Sequence, residues 1–144
     1  MAIATIMLVD DEVPFVEAMT KRLKRRDLEV EQAFSGNEAL EKLTDGSKAE
    51  VVILDVKMPG MDGVETLKAI KSQTPLVEVI MLTGHATVES AIEGMKLGAF
   101  DYLLKPCDMD HLLDKVSEAA AKKRQHEEKI TNARIKEITA RRAY

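Results

Sequence analysis

Acidic residues follow two short apolar runs of the sequence. Asp10 and Asp11 come directly after Ala4–Val9, and Asp55 comes directly after Val51–Leu54. Carboxylates that are held close together repel one another and need a cation, and Mg²⁺ prefers such hard oxygen ligands. A carboxylate can also act as a nucleophile and form an aspartyl-phosphate. These residues therefore indicate metal-assisted phosphoryl transfer, provided that the fold brings the carboxylates together.

Two hydrogen-bond donors follow later apolar runs. Thr83 comes directly after Leu76–Leu82, and Lys105 comes directly after Phe100–Leu104. Hydroxyl and ammonium groups both donate to phosphoryl oxygens, and phosphoryl transfer needs mainly positioning and neutralisation of charge. Taken singly, each of these residues is also typical of a turn or a helix cap. The occurrence of the whole set at the ends of four apolar runs favours the chemical interpretation.

Strands and helices alternate around these residues. Val51–Leu54 is rich in β-branched residues and does not alternate, which is typical of a strand buried on both faces. The predicted strands are Ala4–Val9, Leu28–Phe34, Val51–Leu54, Leu76–Leu82 and Phe100–Leu104, of which the alternating Leu28–Phe34 should lie nearer an edge. The predicted helices run from Pro14 to about Arg26, from the Ser35–Glu38 capping box to Asp45, around Val64–Ile70, from Val88 to a stop at Gly98, and onward from about Met109 with Asp108 as its cap.

This alternation predicts a parallel sheet with helices on both faces. The carboxyl ends of parallel strands meet at one edge of such a sheet, and ligands bind there. We therefore expect Asp10, Asp11, Asp55, Thr83 and Lys105 to form one site at that edge.

The composition excludes several classes of protein. The 144 residues suffice for one domain with its own core, and with 3% aromatic residues and no Trp they make a poor stacking platform for single-stranded nucleic acid. Cys107 is the single cysteine, so an internal disulfide and a zinc cluster are excluded. No signal peptide or membrane span of roughly 20 apolar residues is evident. We expect a cytoplasmic protein.

The charge is distributed unevenly along the chain. Residues 122–144 contain eight Lys/Arg and three Glu, a net +5, whereas the rest of the chain contains 13 basic and 22 acidic residues, a net −9. The predicted division is a folded domain over residues 1–121 and a basic C-terminal helical extension over 122–144. The extension could be a solvated helix, a linker or dimerisation helix of partly coiled-coil character, or a nucleic-acid contact, which its mixed charges disfavour.

Four motifs give the sequence a resemblance to the receiver (response regulator) domains of bacterial two-component systems. They are VDDE at Val9–Glu12, LDVKMPGMDG at Leu54–Gly63, LTGHA at Leu82–Ala86 and GAFDYLLKP at Gly98–Pro106. The resemblance covers about Ile6 to Ala120 and is strongest to receivers of the NtrC type. It implies a flavodoxin-like doubly wound sheet of five parallel strands in the order 2-1-3-4-5, here with an extended C-terminal helix.

The resemblance also implies a role for each site residue. Asp55 is expected to accept the phosphoryl group, and Asp10, Asp11 and Asp55 to bind Mg²⁺ together with the main-chain carbonyl of Lys57. Lys105 is expected to pair with the acceptor carboxylate and then with the phosphoryl group.

Further residues are implicated in signalling by the same resemblance. Thr83 is expected to bind a phosphoryl oxygen after transfer, and Tyr102 matches the aromatic residue that turns inward in the active state. The side chains of Lys57 and His85 are expected to influence the lifetime of the phosphoryl group, although both could also be solvated loop residues. The peptide bond before Pro106 is expected to be cis.

The implied function is that of a regulatory phosphoacceptor without independent substrate turnover. A sensor histidine kinase is the expected phosphodonor, and the surface of the fourth helix, fifth strand and fifth helix is expected to change. That surface would then act on a downstream protein, an output domain or a second copy of the chain, without direct binding of nucleic acid or membrane. The chain lacks a Walker motif and room for a helix-turn-helix after Pro106, so we expect either a free-standing receiver or a receiver with its linker helix.

Three other functions use similar features. A haloacid-dehalogenase-like phosphatase would need its nucleophile in a D-x-D pattern on the first strand, where this chain reads Asp10-Asp11-Glu12. A flavin-binding electron carrier would need a Ser/Thr/Gly-rich phosphate loop after that strand. A dimerisation module independent of phosphorylation is disfavoured by the complete acceptor site.

Overall fold

Five parallel strands form one sheet in the computed structural model, which describes residues 3–58, 60–84 and 87–142. The strands are β1 (Ala4–Val9), β2 (Leu28–Ala33), β3 (Val51–Leu54), β4 (Glu78–Thr83) and β5 (Asp101–Leu104). The helices are α1 (Val13–Lys24), α2 (Gly36–Thr44), α3 (Gly63–Gln73), α4 (Val88–Lys96) and α5 (Met109–Arg142). The strand order is β2-β1-β3-β4-β5, which confirms the predicted doubly wound topology.

The core lies on both faces of the sheet. Val51 and Ile53 of β3 pack into one apolar cluster, with side chains of α1 and α5, while Val52 and Leu54 pack into a second cluster with α2 and α3. All four β3 residues are buried, which confirms the prediction of a strand covered on both sides. Among the described residues β2 pairs with β1 alone and lies at the edge of the sheet, also as predicted.

Several element boundaries differ from the sequence prediction by a few residues, among them the end of β2 at Ala33 rather than Phe34. α1 ends at Lys24 rather than Arg26, because Asp27 adopts a left-handed conformation with φ of 64° and turns the chain into β2. β4 begins at Glu78 rather than Leu76, after a turn in which the Val77 N–H donates to the Thr74 carbonyl at 3.1 Å. β5 begins at Asp101 rather than Phe100.

The predicted helix caps are present. Ser35 Oγ accepts from the Glu38 N–H at 3.1 Å, and the Glu38 carboxylate accepts from the Phe34 N–H at 3.0 Å rather than from that of Ser35. Asp108 accepts from the His111 N–H at the start of α5, and Gly98 follows α4 with a left-handed φ of +102°. The caps fix where the helices begin and end relative to the sheet.

α5 is one continuous helix of 34 residues that extends beyond the sheet. Arg124 donates to both carboxylate oxygens of Glu50 at 2.6 and 2.8 Å and to the Ile3 carbonyl at 2.9 Å. Lys122 lies 3.3 Å from the buried carboxylate of Glu78. These contacts hold α5 against the amino-terminal edge of the sheet, and every residue from 128 to 142 is exposed. Within the part of the chain that the structure describes, no helix is both long and apolar enough to cross a membrane.

Candidate functional site

Three carboxylates converge at the carboxyl edge of the sheet. Asp10 follows β1 and Asp55 follows β3, and the Asp55 N–H donates to the Val9 carbonyl at 3.0 Å, which continues the pairing of the two strands. One carboxylate oxygen from each of Asp10, Asp11 and Asp55 lies within 4.8 Å of the other two. Asp10 and Asp55 are 1% and 2% exposed, whereas Asp11 is open to solvent. The three side chains predicted to form one site therefore do so.

Lys105 enters the same cluster from the end of β5. Its Nζ lies 2.5 Å from Oδ2 of Asp10, 3.7 Å from Oε1 of Glu12 and 3.8 Å from the ring centroid of Phe15. The Lys105 N–H donates to the Thr83 carbonyl at 2.9 Å, and the peptide bond between Lys105 and Pro106 is cis. The ammonium group of Lys105 thus forms an ion pair with Asp10, whereas the resemblance implied an ion pair with Asp55.

Thr83 joins the site from the end of β4. Burial raises the pKa of the Asp55 carboxyl above its usual value, and the nearby charge of Asp10 raises it further. A hydrogen bond from the Thr83 side chain, the charge of Lys105 and the Val56 N–H at 2.9 Å lower the same pKa without cancelling the effect of burial. The carboxylate therefore lies in surroundings that favour its neutralisation by a cation or by covalent modification.

The loop after β3 wraps closely around the acceptor position. The Gly63 N–H donates to the Val56 carbonyl at 2.7 Å, and a Cβ atom at Gly63 would lie 2.1 Å from the Asp55 carbonyl oxygen. Gly63 is therefore required for space rather than for an unusual φ. The Lys57 side chain in this loop is exposed. Pro59 of the loop and His85 of the predicted modulatory pair lie outside the described residues.

Tyr102 lies between β5 and α4. Its ring is half-buried and packs against the core cluster on that face of the sheet, and its hydroxyl lies 2.9 Å from Oγ of Ser90. Thr83 and Tyr102, the two residues predicted to carry the signal, lie on the neighbouring strands β4 and β5, and Tyr102 also contacts α4. The sequence pattern does not single out Glu12, Phe15 or Ser90, because each reaches the site only through the packing of a helix against the sheet.

The donor set fits a hard divalent cation. Three carboxylates within 4.8 Å of one another supply oxygen ligands from one side, and Mg²⁺ is often held by one or two carboxylates while it keeps several waters. The exposed position of Asp11 leaves a solvent-facing side for such waters and for a phosphodonor.

Comparison with known proteins identifies the family of this chain. Residues 6–117 match the family described as Response regulator receiver domain. The chain belongs to this family. Three clustered carboxylates of this kind are typical of the Mg²⁺ site of receiver domains, and a receiver domain is a regulatory phosphoacceptor rather than an enzyme. The resemblance inferred from the four motifs is confirmed.

Individual relatives place this receiver domain near regulators of the NtrC type. Transcriptional regulatory protein ZraR of Klebsiella oxytoca is 38% identical over 126 residues, which span 88% of this chain and 28% of that protein. DNA-binding transcriptional regulator NtrC of Klebsiella pneumoniae is 36% identical over 133 residues, which span 92% of this chain and 28% of that protein. The chain thus spans little more than a quarter of the length of these two relatives.

Solved structures agree with the fold of the receiver domain. A response regulator receiver domain protein from Clostridium thermocellum has a TM-score of 0.79 and 36% identity, covering 85% of this chain and 98% of that one. The receiver domain of NtrX from Brucella abortus has a TM-score of 0.74 and 32% identity, covering 81% of this chain and 98% of that one. In both cases nearly the whole of the compared chain is matched.

The raised pKa of Asp55 predicts a stability effect. When the pKa of a carboxyl is higher in the folded state than in the unfolded state, the free energy of unfolding falls as the pH rises from the unfolded-state pKa to the folded-state pKa. We expect Asp55→Asn to raise the free energy of unfolding at pH 7 in the absence of Mg²⁺, and to raise it less at pH values below the ordinary carboxyl range. Urea unfolding with a chelator and with Mg²⁺ measures this effect. Added Mg²⁺ should stabilise the wild type more than the variant, and a less stable variant in the chelator would contradict the prediction.

Proposed function

We propose that this receiver domain is a phosphorylation-dependent switch in which Asp55 accepts a phosphoryl group from the phosphohistidine of a sensor histidine kinase. The observation that carries the proposal is the placement of the buried Asp55 carboxylate within 4.8 Å of those of Asp10 and Asp11. A carboxylate oxygen of Asp55 attacks phosphorus, the bond from phosphorus to the histidine nitrogen breaks, and an aspartyl-phosphate results. We assign this reaction to the cytoplasm.

The residues around Asp55 support each part of this transfer. Asp10, Asp11, Asp55 and the main-chain carbonyl of Lys57 would hold Mg²⁺, which supplies neutralisation of the phosphoryl charge. Lys105 is already held beside the acceptor by its 2.5 Å contact with Asp10, and a modest movement of its flexible stem lets it pair with a phosphoryl oxygen. The Thr83 side chain, hydrogen-bonded to Asp55 before transfer, donates to a phosphoryl oxygen afterwards. His85 and the Lys57 side chain then influence how long the phosphoryl group survives.

Phosphorylation changes the charge of the site by roughly −1 to −2 and shifts a two-state equilibrium. Thr83 and Tyr102 carry this change to the surface of α4, β5 and α5. That surface is notably apolar: Val88 is 77% exposed, Leu104 57% and Ile92 51%. Exposed apolar patches mark sites of protein interaction, so we assign this face to a downstream protein, an output domain or a second copy of the chain.

The proposed function predicts labelling by a small phosphodonor. Incubation with acetyl phosphate and Mg²⁺ should add one phosphoryl group to the wild type, detected as an increase in intact mass. Asp55→Asn should remain unmodified under the same conditions, and a chelator should prevent the modification of the wild type. Modification that is independent of Mg²⁺, or equal in both proteins, would contradict the proposal.

Residues 122–144 form the second part of the proposal. Arg124 and Lys122 anchor the start of this extension on Glu50 and Glu78. Beyond them, Ile130, Ile135 and Ile138 are 40%, 55% and 51% exposed on a helix whose described residues from 128 onward are all exposed. We assign the extension as a linker or dimerisation helix that leaves the 1–121 domain in a fixed direction.

A measurement of molar mass tests this assignment. Light scattering over a range of concentrations should detect dimers of the full chain, more of them after phosphorylation. Ile135→Lys should reduce the dimer fraction by about tenfold, because a charge would be buried in the apolar contact. The matched variant Ala140→Lys adds the same charge on the opposite side of the helix, because Ala140 follows Ile135 by five residues and Ile138 by two, and it should have no effect. A full chain that stays monomeric when phosphorylated would overturn the dimerisation role.

A further inference from the structure

Ser90 makes a contact that its role as a helix cap does not require. It is the third residue of α4, and its Oγ accepts from the N–H of Thr87 at 3.1 Å, while Thr87 Oγ1 accepts from the Ser90 N–H at 3.0 Å. These reciprocal bonds form a complete capping box. The same Oγ lies 2.9 Å from the Tyr102 hydroxyl, so Ser90 joins the start of α4 to β5.

The ring of Tyr102 rests on α4 one turn beyond Ser90. A Cβ atom at Gly94 would lie 3.7 Å from Cδ2 of Tyr102 and 3.9 Å from Cγ of Met81, which are ordinary contact distances, so the ring of Tyr102 packs next to the helix surface at Gly94. Ser90 and Gly94 are four residues apart and share one helix face. Tyr102 is therefore held at two points on α4, its hydroxyl by Ser90 and its ring by the surface over Gly94.

The first turn of α4 is also close to the phosphoryl site along the chain. Thr87 follows Thr83 by four residues, and the Thr83 side chain bonds Asp55. The bond between Ser90 and Tyr102 joins this first turn to β5, the strand that pairs with β4 at Thr83.

We propose that Ser90 is a positioning residue of the switch, whose hydroxyl holds Tyr102 against the first turn of α4 in the phosphoryl-free state. This inference rests on the proposed function, because it assigns the means by which the switch is held before phosphorylation. A bond that is present in only one of two states stabilises that state, and the effect is reciprocal with ligand binding. Loss of the bond should therefore favour the phosphorylated conformation.

The affinity for beryllofluoride and Mg²⁺, a non-covalent analogue of the phosphoryl group, measures this equilibrium. Removing one net hydrogen bond should tighten analogue binding by about threefold to tenfold in both Ser90→Ala and Tyr102→Phe, which keeps the ring. Ser90→Thr should bind like the wild type, because its hydroxyl can make the same contacts. Thr87→Ala removes the acceptor of the cap and the 3.0 Å contact of Thr87 Oγ1 with Ser90 Oγ, but it keeps both hydroxyls of the bond between Ser90 and Tyr102, and it serves as the control for helix capping.

The double variant separates positioning from capping. Ser90→Ala should have no further effect on analogue affinity in a Tyr102→Phe background, whereas Thr87→Ala should have the same effect in both backgrounds. A ¹⁹F signal provides a second readout, since the chain has two tyrosines and no tryptophan. In analogue-free protein labelled with 3-fluorotyrosine, the Tyr102 signal of Ser90→Ala should lie closer to the analogue-bound position than the Tyr102 signal of the wild type does.

Two results would overturn the role of Ser90 while leaving the proposed function intact. One is unchanged or weaker analogue binding by Ser90→Ala when the wild type binds normally. The other is additive effects of Ser90→Ala and Tyr102→Phe. Failure of the wild type to bind the analogue with Mg²⁺ would instead overturn the proposed function.

Discussion

Replacing Lys105 with methionine is expected to slow the phosphorylation of Asp55 by acetyl phosphate about a hundredfold. The ammonium group lies 2.5 Å from Asp10 in a cluster of three carboxylates, and it is the cation that this chain itself places there. Methionine keeps the aliphatic stem over Phe15, where Lys105 Nζ now lies 3.8 Å from the ring centroid, and removes only the charge. The rate should fall because the developing charge on the phosphoryl oxygens loses a preorganised donor.

The initial rate of phosphorylation at saturating Mg²⁺ measures this effect. Lys68→Met is the matched control, because Lys68 is an exposed lysine of α3 and the charges that shift the pKa of Asp55 are those of Asp10 and Lys105, and it should react at the wild-type rate. A rate for Lys105→Met within threefold of the wild type would show that Lys105 serves only to neutralise Asp10 before transfer.

Gly63→Ala is expected to lower the free energy of unfolding by about 3 kcal/mol, which is typical of severe overpacking at a buried position. The added Cβ would lie 2.1 Å from the Asp55 carbonyl oxygen and 2.6 Å from Cα of Val56. Both are backbone atoms, so no side chain can rotate to relieve the clash. The loop that ends in the 2.7 Å bond from Gly63 to Val56 must therefore open, and phosphorylation of Asp55 should be impaired as well.

Urea unfolding of Gly63→Ala beside Gly94→Ala tests this steric argument. A Cβ atom at Gly94 would meet Tyr102 at an ordinary contact distance of 3.7 Å, and alanine is the better helix former by up to about 1 kcal/mol. Gly94→Ala should therefore be neutral or stabilising. Equal unfolding midpoints for the two variants would contradict the inferred close approach at Gly63.

The fold and the convergence of the site could be predicted because they depend on local patterns. An unbroken apolar run such as Val51–Leu54 admits few interpretations, and alternation with helices makes the strands parallel. Parallel strands bring their carboxyl ends together whatever the details of packing. Asp10, Asp55, Thr83 and Lys105 could therefore be assigned to one site without coordinates.

The partners of individual side chains could not be predicted in the same way. The pairing of Lys105 with Asp10 depends on the direction of a long side chain whose backbone position is compatible with several carboxylates. The bond between Ser90 and Tyr102 depends on how closely α4 packs on β5, and the 74-residue separation of Arg124 from Glu50 leaves no local signal. Helical periodicity likewise could not predict the exposure of Val88 and Ile92, because it identifies the apolar face of a helix but not the element that covers this face.

The position of the phosphoryl group tests the central claim most directly. After incubation with acetyl phosphate and Mg²⁺, peptide mapping of the protein should locate a single adduct, stable in acid and labile in base, on the peptide that contains Asp55. Asp55→Asn should yield no such peptide. An adduct on Asp10 or Asp11 in the wild type, or labelling of Asp55→Asn to the same extent, would contradict the assignment of Asp55 as the phosphoacceptor.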